Sequence, residues 1–274
     1  MIDIAIIILT RNEAIHIKRC IERLMPLEPR QIFIVDCFSV DGTQTIAGRL
    51  GATVIEHEWP GNQAAQFQWA LDNLPIEAKW ILRLDADEYL TDELIAETKE
   101  KLPLIEDSVD GVVLKRRHVV GWLNNRWIKR GMYPTRILRL FRAGHGHSDM
   151  KVMDEHIVVD GKVLEFDNDF VDHSLIPFKD WQAKHQAYAK REAQSYVLGE
   201  ESTGEKASKK VFYYRLPKYF RATAYFCIRY FIELGFLEGM SGFRWHFWHG
   251  LWYRCLVDWE IGRMQVKGTH LYLM

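Results

Sequence analysis

Residues 4–13 read IAIIILTRNE, a run of six apolar residues followed by four polar ones. A continuous apolar run of this length is typical of a strand buried on both faces of a parallel sheet. The mainly apolar runs 32–35, 52–55 and 80–84 repeat the pattern. Segments with helical spacing separate them, and alternating strands and helices predict an α/β fold with a mostly parallel sheet.

The predicted helices of this first part cover residues 13–24, 41–50, 61–74 and 91–102, the last with Thr91 as its N-cap. Further on, the pattern changes to short strands at 112–114, 136–141, 157–159 and 162–166, with a turn at Asp160-Gly161. After Pro177 the chain is predicted to be helical and rich in aromatic residues. We therefore expect two parts, an α/β domain over residues 1–175 and a helical region over residues 176–274.

Composition excludes several classes of protein. The chain has 274 residues, of which 48% are hydrophobic and 27% charged, so it is long enough for a large core and is not disordered. Its net charge of -1 gives no overall attraction to nucleic acid, which is not an expected partner. The four cysteines have no metal-ligand spacing, and the first strand is preceded by neither a basic region nor a small-residue cleavage site, so we expect no signal peptide. These features predict a cytoplasmic protein.

Polar residues follow three of the predicted strands where each strand ends. They are Thr10-Arg11-Asn12-Glu13, the string DCFSVDGT at 36–43, and Asp85-Ala86-Asp87-Glu88. The carboxyl ends of parallel strands meet at one edge of a sheet, so these residues predict a shared ligand site. Taken singly, Asp41 or Thr91 is equally explained as a helix cap and Gly42 as a turn residue.

Asp85 and Asp87 are the best metal-ligand candidates. In an extended chain, residues two apart face the same side, about 6–7 Å apart at Cα. Carboxylate oxygens suit Mg²⁺ or Mn²⁺, which keep other coordination positions for substrate phosphates. An Asp-x-Asp string alone is a weak motif, but here it directly follows a predicted buried strand.

Together, these strings resemble glycosyltransferase family 2. The order and spacing of residues 8–13, 34–43 and 84–88 are similar to that family over roughly the first third of the chain. Within the family, the chain is most similar to the branch of lipopolysaccharide-core β-glucosyltransferases. That likeness continues into residues 136–141, 154–156, 159–162 and 172–174.

The resemblance implies a GT-A fold, which is a Rossmann-like, mostly parallel nucleotide-binding sheet. It implies that Asp36 faces the base, normally uracil, and that Asp87 coordinates the metal, with Asp85 near the ribose or the metal. The residues expected to line the nucleotide pocket are Thr10, Asn12 and Glu13, with Asp41 as a weaker member. Cys37 and Phe38 depart from the family's commoner string, which has an acid and a glycine there.

An inverting transfer requires a base for the acceptor hydroxyl, and the family takes it from an acidic residue in the later part of the sheet. Asp154 and Glu155 are the candidates, and the branch resemblance favours Glu155; both are alternatively solvated turn acids. Arg136 and Arg139 either reach phosphates or form a surface face of their strand. His173 is more often structural than catalytic in such a position.

The C-terminal region combines aromatic and basic residues. Residues 206–232 hold seven Lys or Arg and no acid, yet no stretch has the roughly 20 uncharged apolar residues of a spanning helix. This composition favours a helix lying in a lipid headgroup interface. Trp residues at 245, 248, 252 and 259 recur at helical spacing, and they face either the membrane or the core of their own domain.

The sequence thus predicts an inverting, metal-dependent hexosyltransferase of cell-envelope polysaccharide synthesis, with glucose the favoured sugar. The expected donor is a nucleotide diphosphate sugar, most simply a UDP-sugar. The expected acceptor is a lipid-linked or lipopolysaccharide-type saccharide at the inner face of the cytoplasmic membrane. A sugar-phosphate nucleotidyltransferase is disfavoured because residues 10–13 contain no glycine. A non-catalytic sugar-nucleotide-binding or membrane scaffold protein is the alternative.

Overall fold

The structure, a computed structural model, describes residues 1–149, 156–199 and 211–271. These residues divide into two compact units. The first contains Met1–Trp127 and Tyr133–Leu175, and the second contains Ile128–Met132 and Ile176–Met274. The short segment Ile128–Met132 therefore belongs to the second unit although it lies within the sequence of the first.

The first unit is built on a nine-stranded mixed sheet. Its first half consists of β1 (Ile2–Thr10), β2 (Pro29–Asp36), β3 (Thr53–Glu56) and β4 (Trp80–Asp85), which pair in parallel in the order β3-β2-β1-β4. The intervening helices are α1 (Ala14–Leu24), α2 (Thr43–Arg49) and α3 (Gln63–Asn73). This half confirms the alternating strands and helices that the sequence predicts.

The remaining strands extend the sheet beyond β4. They are β5 (Glu88–Leu90), β6 (Val109–Val120), β7 (Arg126–Trp127), β8 (Thr135–Arg142) and β11 (Lys162–Ser174), and helix α4 (Asp92–Lys101) follows β5. The sheet continues from β4 in the order β8-β6-β11-β5, with β7 on β6. Strand β8 is antiparallel to both neighbours, whereas β6 and β11 are parallel to each other. Strands β5 and β7 are also antiparallel to their neighbours, so six of the nine strands run in one direction and the sheet is mixed but mostly parallel.

A second, two-stranded sheet pairs β9 (Gly146–Ser148) with β10 (Ile157–Val159). Strand β10 lies where the sequence predicts it. The turn at Asp160-Gly161 does not fold it back against the next strand, because β11 pairs with β6 in the large sheet.

The alternation of side chains along β1 explains the layers of the first unit. Ile4, Ile6 and Ile8 belong to one buried cluster, and Ala5 and Ile7 belong to another. Successive residues of a strand point to opposite faces, so a continuous apolar run is needed when both faces are covered. The first cluster includes residues of α1 and α4, and the second includes residues of α3. Thr91 caps α4 as predicted, since its Oγ1 accepts the Leu94 N–H at 3.2 Å.

The second unit is helical. It contains α5 (Phe178–Val197), a helical run over Phe220–Cys227 and Ile228–Ile232, a short 3₁₀ turn over Gly235–Glu238, and a last run over Gly239–Trp245, His246–Trp252 and Tyr253–Leu271. Small residues on α5, Ala189 and Ala193, pack against Tyr253, Val257 and Ile261 of the last run. Within the described ranges, no helix has a run long and apolar enough to cross a bilayer.

The tryptophan stripe lies mainly inside the second unit. Trp245 is buried, and its ring lies 6.0 Å from the ring of Trp181. Trp248 lies 5.0 Å from the ring of Phe178, whereas Trp259 is exposed. For Trp245 and Trp248, the core alternative is therefore the correct one.

Two of the basic residues expected to face lipid are also inside the second unit. Arg221 and Arg229 are buried. Arg221 forms an ion pair with buried Asp258, and Arg229 donates to the carbonyl of Gly131 at 2.7 Å. A buried guanidinium with partners of this kind is not available to lipid headgroups. Residues 206–210 of the same basic segment lie outside the described residues.

Candidate active site

The carboxyl ends of β1 and β2 are joined through Asp36. Thr10 and Asp36 are register partners, and the Thr10 hydroxyl donates to Asp36 Oδ1 at 2.6 Å. Ser39 donates to both oxygens, through its hydroxyl at 2.6 Å and its backbone N–H at 2.7 Å. The Gln44 amide donates to Oδ2 at 2.7 Å. These four donors fill the lone-pair positions of a buried carboxylate.

Burial alone would raise the pKa of Asp36, but the hydrogen bonds from Ser39, Thr10 and Gln44 outweigh it and lower the pKa. Asp36 therefore stays ionised and holds the loop after β2 in place. A contact between its carboxylate and a nucleotide base, as the resemblance implies, requires one of these donors, such as Gln44, to be displaced.

The loops after β1 and β2 are tied together by a second set of hydrogen bonds. The Asn12 N–H donates to Ser39 Oγ at 2.7 Å, and Asn12 Oδ1 accepts the Val40 N–H at 2.9 Å. Asn12 has a φ of 56°, a left-handed conformation that asparagine tolerates better than most residues. Phe38 has a φ of 52°. Glycine, which stands at this position in the commoner string of the resembled family, adopts such a conformation without the steric cost of a side chain.

Asp41 and Glu13 complete the link at the start of α1. Asp41 Oδ2 accepts the Ala14 N–H at 2.9 Å, and Asp41 Oδ1 accepts the Thr43 hydroxyl at 2.5 Å. The Glu13 N–H donates to Thr43 Oγ1 at 2.8 Å, and the Glu13 carboxylate pairs with His16 at 2.6 Å. The N-cap residue of α2 is Gly42 rather than Asp41, and the Asp41 carboxylate fixes the start of α1 relative to the loop after β2.

Asp85 and Asp87 lie on a tight turn between β4 and β5, at the same edge of the sheet. Asp85 is the register partner of Leu9, which precedes Thr10 on β1. The Glu88 carboxylate closes the turn by accepting the Asp85 N–H at 2.9 Å. The Asp87 carbonyl accepts the His173 N–H of β11 at 3.0 Å and an N–H of Arg19 at 3.3 Å. The structure therefore brings the Asp-Ala-Asp turn to the strand ends that carry the other candidates.

Arg139 lies beneath this turn rather than on a free surface. It is buried, and its guanidinium donates to Glu88 at 2.6 Å and to Asp85 at 3.3 Å. Burial works to raise the pKa of Asp85, but Arg139 and Arg83 outweigh it and lower that pKa. Glu88 is different, because burial raises its pKa to about 8 against the opposing effect of Arg139. Arg139 thus keeps Asp85 charged at the site.

Arg136 is placed differently from Arg139. Its Nε lies 2.9 Å from both carboxylate oxygens of Glu165, and the pair is exposed. Arg136 thus lies on the surface, as one of its two interpretations predicts, and it is paired there with Glu165. Asp154 and Glu155, the two candidates for the base, lie outside the described residues.

Sequence reasoning named His173 but missed Arg19 and Asn125, which together with it support the Asp-Ala-Asp turn from behind. Arg19 of α1 donates to the carbonyl of His173 at 2.5 Å, and the His173 ring lies 2.8 Å from Asn125 Oδ1. Burial, followed by the charge of Arg19, lowers the pKa of His173 to about 4, so this histidine is neutral near pH 7. Arg19 and His173 are 154 positions apart, and no local pattern indicates such a pair.

The chemistry of the donors fits a hard divalent cation. Asp85 and Asp87 offer carboxylate oxygens, which Mg²⁺ and Mn²⁺ prefer. The described residues contain no group of three His, Cys, Asp or Glu side chains placed for a metal ion. Mg²⁺ is often held by only one or two carboxylates, with substrate phosphates and water completing its coordination. The pair at this turn is therefore compatible with a metal that binds together with a diphosphate.

Comparison with known proteins points to one family. A family model described as "Glycosyl transferase family 2" matches residues 5–159, which is more than half of the chain. The match covers β1 to β10 and thus the strand ends described above. It also includes Asp154 and Glu155.

Individual relatives agree with this family match. The lipopolysaccharide core biosynthesis glycosyltransferase LpsC of Rhizobium meliloti (strain 1021) is 30% identical over 165 residues, which cover 57% of each protein. An uncharacterized glycosyltransferase of Rickettsia felis is 39% identical over 94 residues, covering 34% of this chain and 32% of that protein. The chain thus spans little more than half the length of the first relative.

Solved structures resemble the chain more distantly. Glucosyl-3-phosphoglycerate synthase from Mycobacterium tuberculosis, in complex with Mn²⁺, UDP and glucosyl-3-phosphoglycerate, is 17% identical with a TM-score of 0.35. The match covers 42% of this chain and 43% of that one. A TM-score this low supports no conclusion about ligands or residue roles.

Proposed function

The chain belongs to glycosyltransferase family 2, and from that membership we propose that it is an inverting hexosyltransferase of cell-envelope polysaccharide synthesis. Its fold is GT-A, with a mostly parallel sheet in the catalytic part and a helical C-terminal region. The proposed donor is a UDP-sugar, with UDP-glucose favoured. The proposed acceptor is a lipid-linked or lipopolysaccharide-type saccharide at the inner face of the cytoplasmic membrane. The relative from Rhizobium meliloti is named as a lipopolysaccharide core biosynthesis glycosyltransferase, which supports this class of acceptor.

One observation carries the proposal: the loops after β1 and β2 are joined by side chains, and the Asp85-Ala86-Asp87 turn lies at the same edge of the sheet. Thr10, Asn12 and Glu13 would line the nucleotide pocket on loops that these hydrogen bonds hold in place. A site that is ordered before the substrate binds loses less conformational freedom on binding.

The proposed reaction is a single displacement at the anomeric carbon. The acceptor hydroxyl attacks, the bond to the leaving diphosphate breaks, and the hydroxyl proton passes to Glu155 or Asp154, with Glu155 favoured. Asp87 and Asp85 would hold Mg²⁺ or Mn²⁺, which stabilises the negative charge that develops on the leaving diphosphate. Arg139 contributes indirectly, since its ion pair keeps Asp85 ionised.

We further propose that residues 1–175 form the catalytic domain and that residues 176–274 bring it to the membrane. Residues 1–175 contain the whole family match. The second proposal agrees with the exposed apolar residues of the helical unit. The alternative, a non-catalytic sugar-nucleotide-binding or scaffold protein, predicts that no nucleotide sugar is turned over.

The direct test is release of UDP from a panel of nucleotide sugars, with Mn²⁺, Mg²⁺ or EDTA, in wild type and Asp87→Ala. We expect metal-dependent release that falls at least about a hundredfold in the variant, because a metal ligand acts on the transition state by several kcal/mol. Asp92→Ala is the matched control, since Asp92 is an exposed carboxylate at the start of α4, five positions further on. It should retain full activity.

Two results would contradict the proposal. UDP release that is equal in EDTA and in Mn²⁺, and unchanged in Asp87→Ala, would rule out the proposed metal site. Binding of a nucleotide sugar without turnover, even with an extracted lipid-linked saccharide as acceptor, would favour the non-catalytic alternative.

A further inference from the structure

The second unit carries a concentration of exposed large apolar side chains over residues 228–243, which we call the apolar tip. Eight of these side chains are between 40% and 73% exposed: Ile228, Phe231, Ile232, Leu234, Phe236, Leu237, Met240 and Phe243. Single exposed apolar residues are common on protein surfaces, but a contiguous group marks an interaction surface. The apolar tip is distinct from the tryptophan stripe, because Trp245 and Trp248 pack inside the unit.

Contacts of the Tyr230 ring hold the apolar tip in position. The ring of Tyr230 lies 5.3 Å from that of Phe226, 5.1 Å from Phe231, 6.3 Å from Phe236 and 5.9 Å from Phe243. One half-buried aromatic ring thus connects both helical runs that form the tip. The exposed apolar side chains around it are held in position before any partner arrives.

The exposed side chains do not form a single stripe. Phe231 and Ile232 are neighbours in one helical turn, and Phe236 and Leu237 are neighbours in the next. Adjacent residues of a helical turn point in clearly different directions, about 120° apart in a 3₁₀ turn, so each turn exposes apolar side chains on more than one side. A helix that docks into a protein groove exposes one stripe, at positions such as i, i+4 and i+7. Apolar side chains that are exposed on several sides fit the apolar interior of a lipid bilayer better than a protein groove.

Positive charges adjoin the apolar tip. The Glu238 carboxylate accepts the backbone N–H groups of Lys129 at 3.3 Å and of Arg130 at 3.2 Å, which places this exposed pair beside Leu237. Arg244 is exposed and directly follows Phe243. The tip contains two acids, Glu233 and Glu238, and the guanidinium of Arg229 interacts electrostatically with Glu233. Basic residues around an apolar surface complement anionic lipid headgroups.

We propose that the apolar tip inserts into the boundary between headgroups and acyl chains of a membrane that contains anionic lipids. Lys129, Arg130 and Arg244 then lie at the level of the headgroups. The inference rests on the proposed function, whose lipid-linked acceptor lies at a membrane surface, and it names the residues that reach that surface. The expected membrane contact thus lies at the apolar residues around and after Arg229, rather than at the basic segment before it.

Co-sedimentation with lipid vesicles tests the proposal. The full-length protein is mixed with vesicles of phosphatidylcholine alone or with phosphatidylglycerol added. We expect the wild type to bind the anionic vesicles, and the Phe231→Gln/Ile232→Gln variant to bind them at least about tenfold more weakly, because two large apolar side chains no longer enter the lipid. Leu104→Gln is the control, since Leu104 is an apolar residue of the first unit that is even more exposed than Phe231 and Ile232, and it should bind like the wild type.

A second variant examines the charges without disturbing the apolar residues. Lys129→Gln/Arg130→Gln should lose most of its preference for anionic over neutral vesicles while keeping its circular dichroism spectrum. Release of UDP from a nucleotide sugar in the absence of vesicles should be unchanged in both variants. That control separates failure of this inference from failure of the proposed transferase activity.

Three outcomes would overturn the proposal. One is a wild-type protein that binds neither kind of vesicle, and another is a Phe231→Gln/Ile232→Gln variant that is folded and binds as well as the wild type. The third is self-association of the wild type in sedimentation velocity that the same variant abolishes without any vesicle binding. This last result would assign the apolar tip to a second copy of the chain.

Discussion

The first unit keeps apolar side chains within its sheet and gathers charged ones at one edge, whereas the second unit buries several charges and leaves large apolar side chains exposed. At the edge of the first unit, the carboxylates of Asp36 and Asp41 are held by backbone and hydroxyl donors. Inside the second unit, Arg221 and Asp258 are both buried and paired. Buried Glu192 accepts hydroxyl groups from Tyr214 at 2.9 Å and Tyr253 at 2.6 Å.

The difference indicates two kinds of specialisation. In the first unit, polar groups are arranged for a charged ligand, and the apolar core supplies stability. In the second unit, buried ion pairs and tyrosine hydroxyls fix the positions of helices whose outer surface is partly apolar. Removing one partner of a buried ion pair leaves an uncompensated buried charge and destabilises the fold, so the two units should respond differently to the loss of a charge.

The largest effect on stability is expected for Asp258→Asn. The change leaves Arg221 buried without a compensating charge, which should lower the free energy of unfolding of the second unit by about 3–5 kcal/mol. Calorimetric unfolding would measure it. Glu22→Gln, which breaks an exposed pair with Lys18, should have almost no effect. If Asp258→Asn lowered the free energy of unfolding no more than Glu22→Gln does, burial of the Arg221–Asp258 pair would have no effect on stability. Replacing both partners, as Arg221→Met/Asp258→Leu, should restore most of the lost stability.

A smaller effect is expected for Thr10→Val in the first unit. The variant loses the hydroxyl that donates to the charged Asp36, at a cost of about 1.5–3 kcal/mol near pH 7. Because the folded pKa of Asp36 lies below its ordinary value, the stability from this carboxylate is present above about pH 4 and is lost as the pH falls further. Urea unfolding should therefore show that the difference from wild type shrinks as the pH falls below about 4.

Thr53→Val is the control for that measurement. Thr53 lies on β3 and is exposed, so its substitution should produce no comparable dependence on pH. A Thr10→Val difference that stayed constant between neutral and acid pH would show that the hydroxyl does not act through the ionised Asp36.

The smallest effect is expected for Arg136→Gln. The Arg136–Glu165 pair is exposed, so its loss should change the free energy of unfolding by less than about 1 kcal/mol. The KM for the nucleotide sugar distinguishes the two interpretations of this residue. We expect a change of less than about twofold, as for an exposed surface pair. A rise of tenfold or more would instead mean that Arg136 leaves Glu165 to bind phosphate.

Local patterns were sufficient to predict much of the first unit. The strand at Ile157–Val159 and the cap at Thr91 lie where the sequence predicts them. Apolar periodicity and capping depend on neighbouring residues, so these features are visible in a sequence. The strand ends that hold Thr10, Asp36 and Asp85 were also predictable, because parallel strands end at a common edge.

Pairing between distant segments was not predictable. Strand β8 enters the sheet between β4 and β6, and β11 pairs with β6 rather than with β10. The partners of Arg19 and the burial of Arg221 also depend on tertiary contacts. A charged residue in a basic segment is ordinarily expected at the surface, and only the position of Asp258 explains why Arg221 is inside.

Because Ile128–Met132 packs in the second unit, the order in which the chain is translated affects how that unit folds. The carbonyl of Gly131 accepts from Arg229, and the Met132 sulfur accepts from the Trp245 indole at 2.7 Å. During synthesis, these five residues emerge well before the helices that contact them. The second unit can therefore complete its packing only after the sheet of the first unit has been translated. A fragment cut after Leu175 would keep this segment but lose its partners, so no single cleavage yields both units intact.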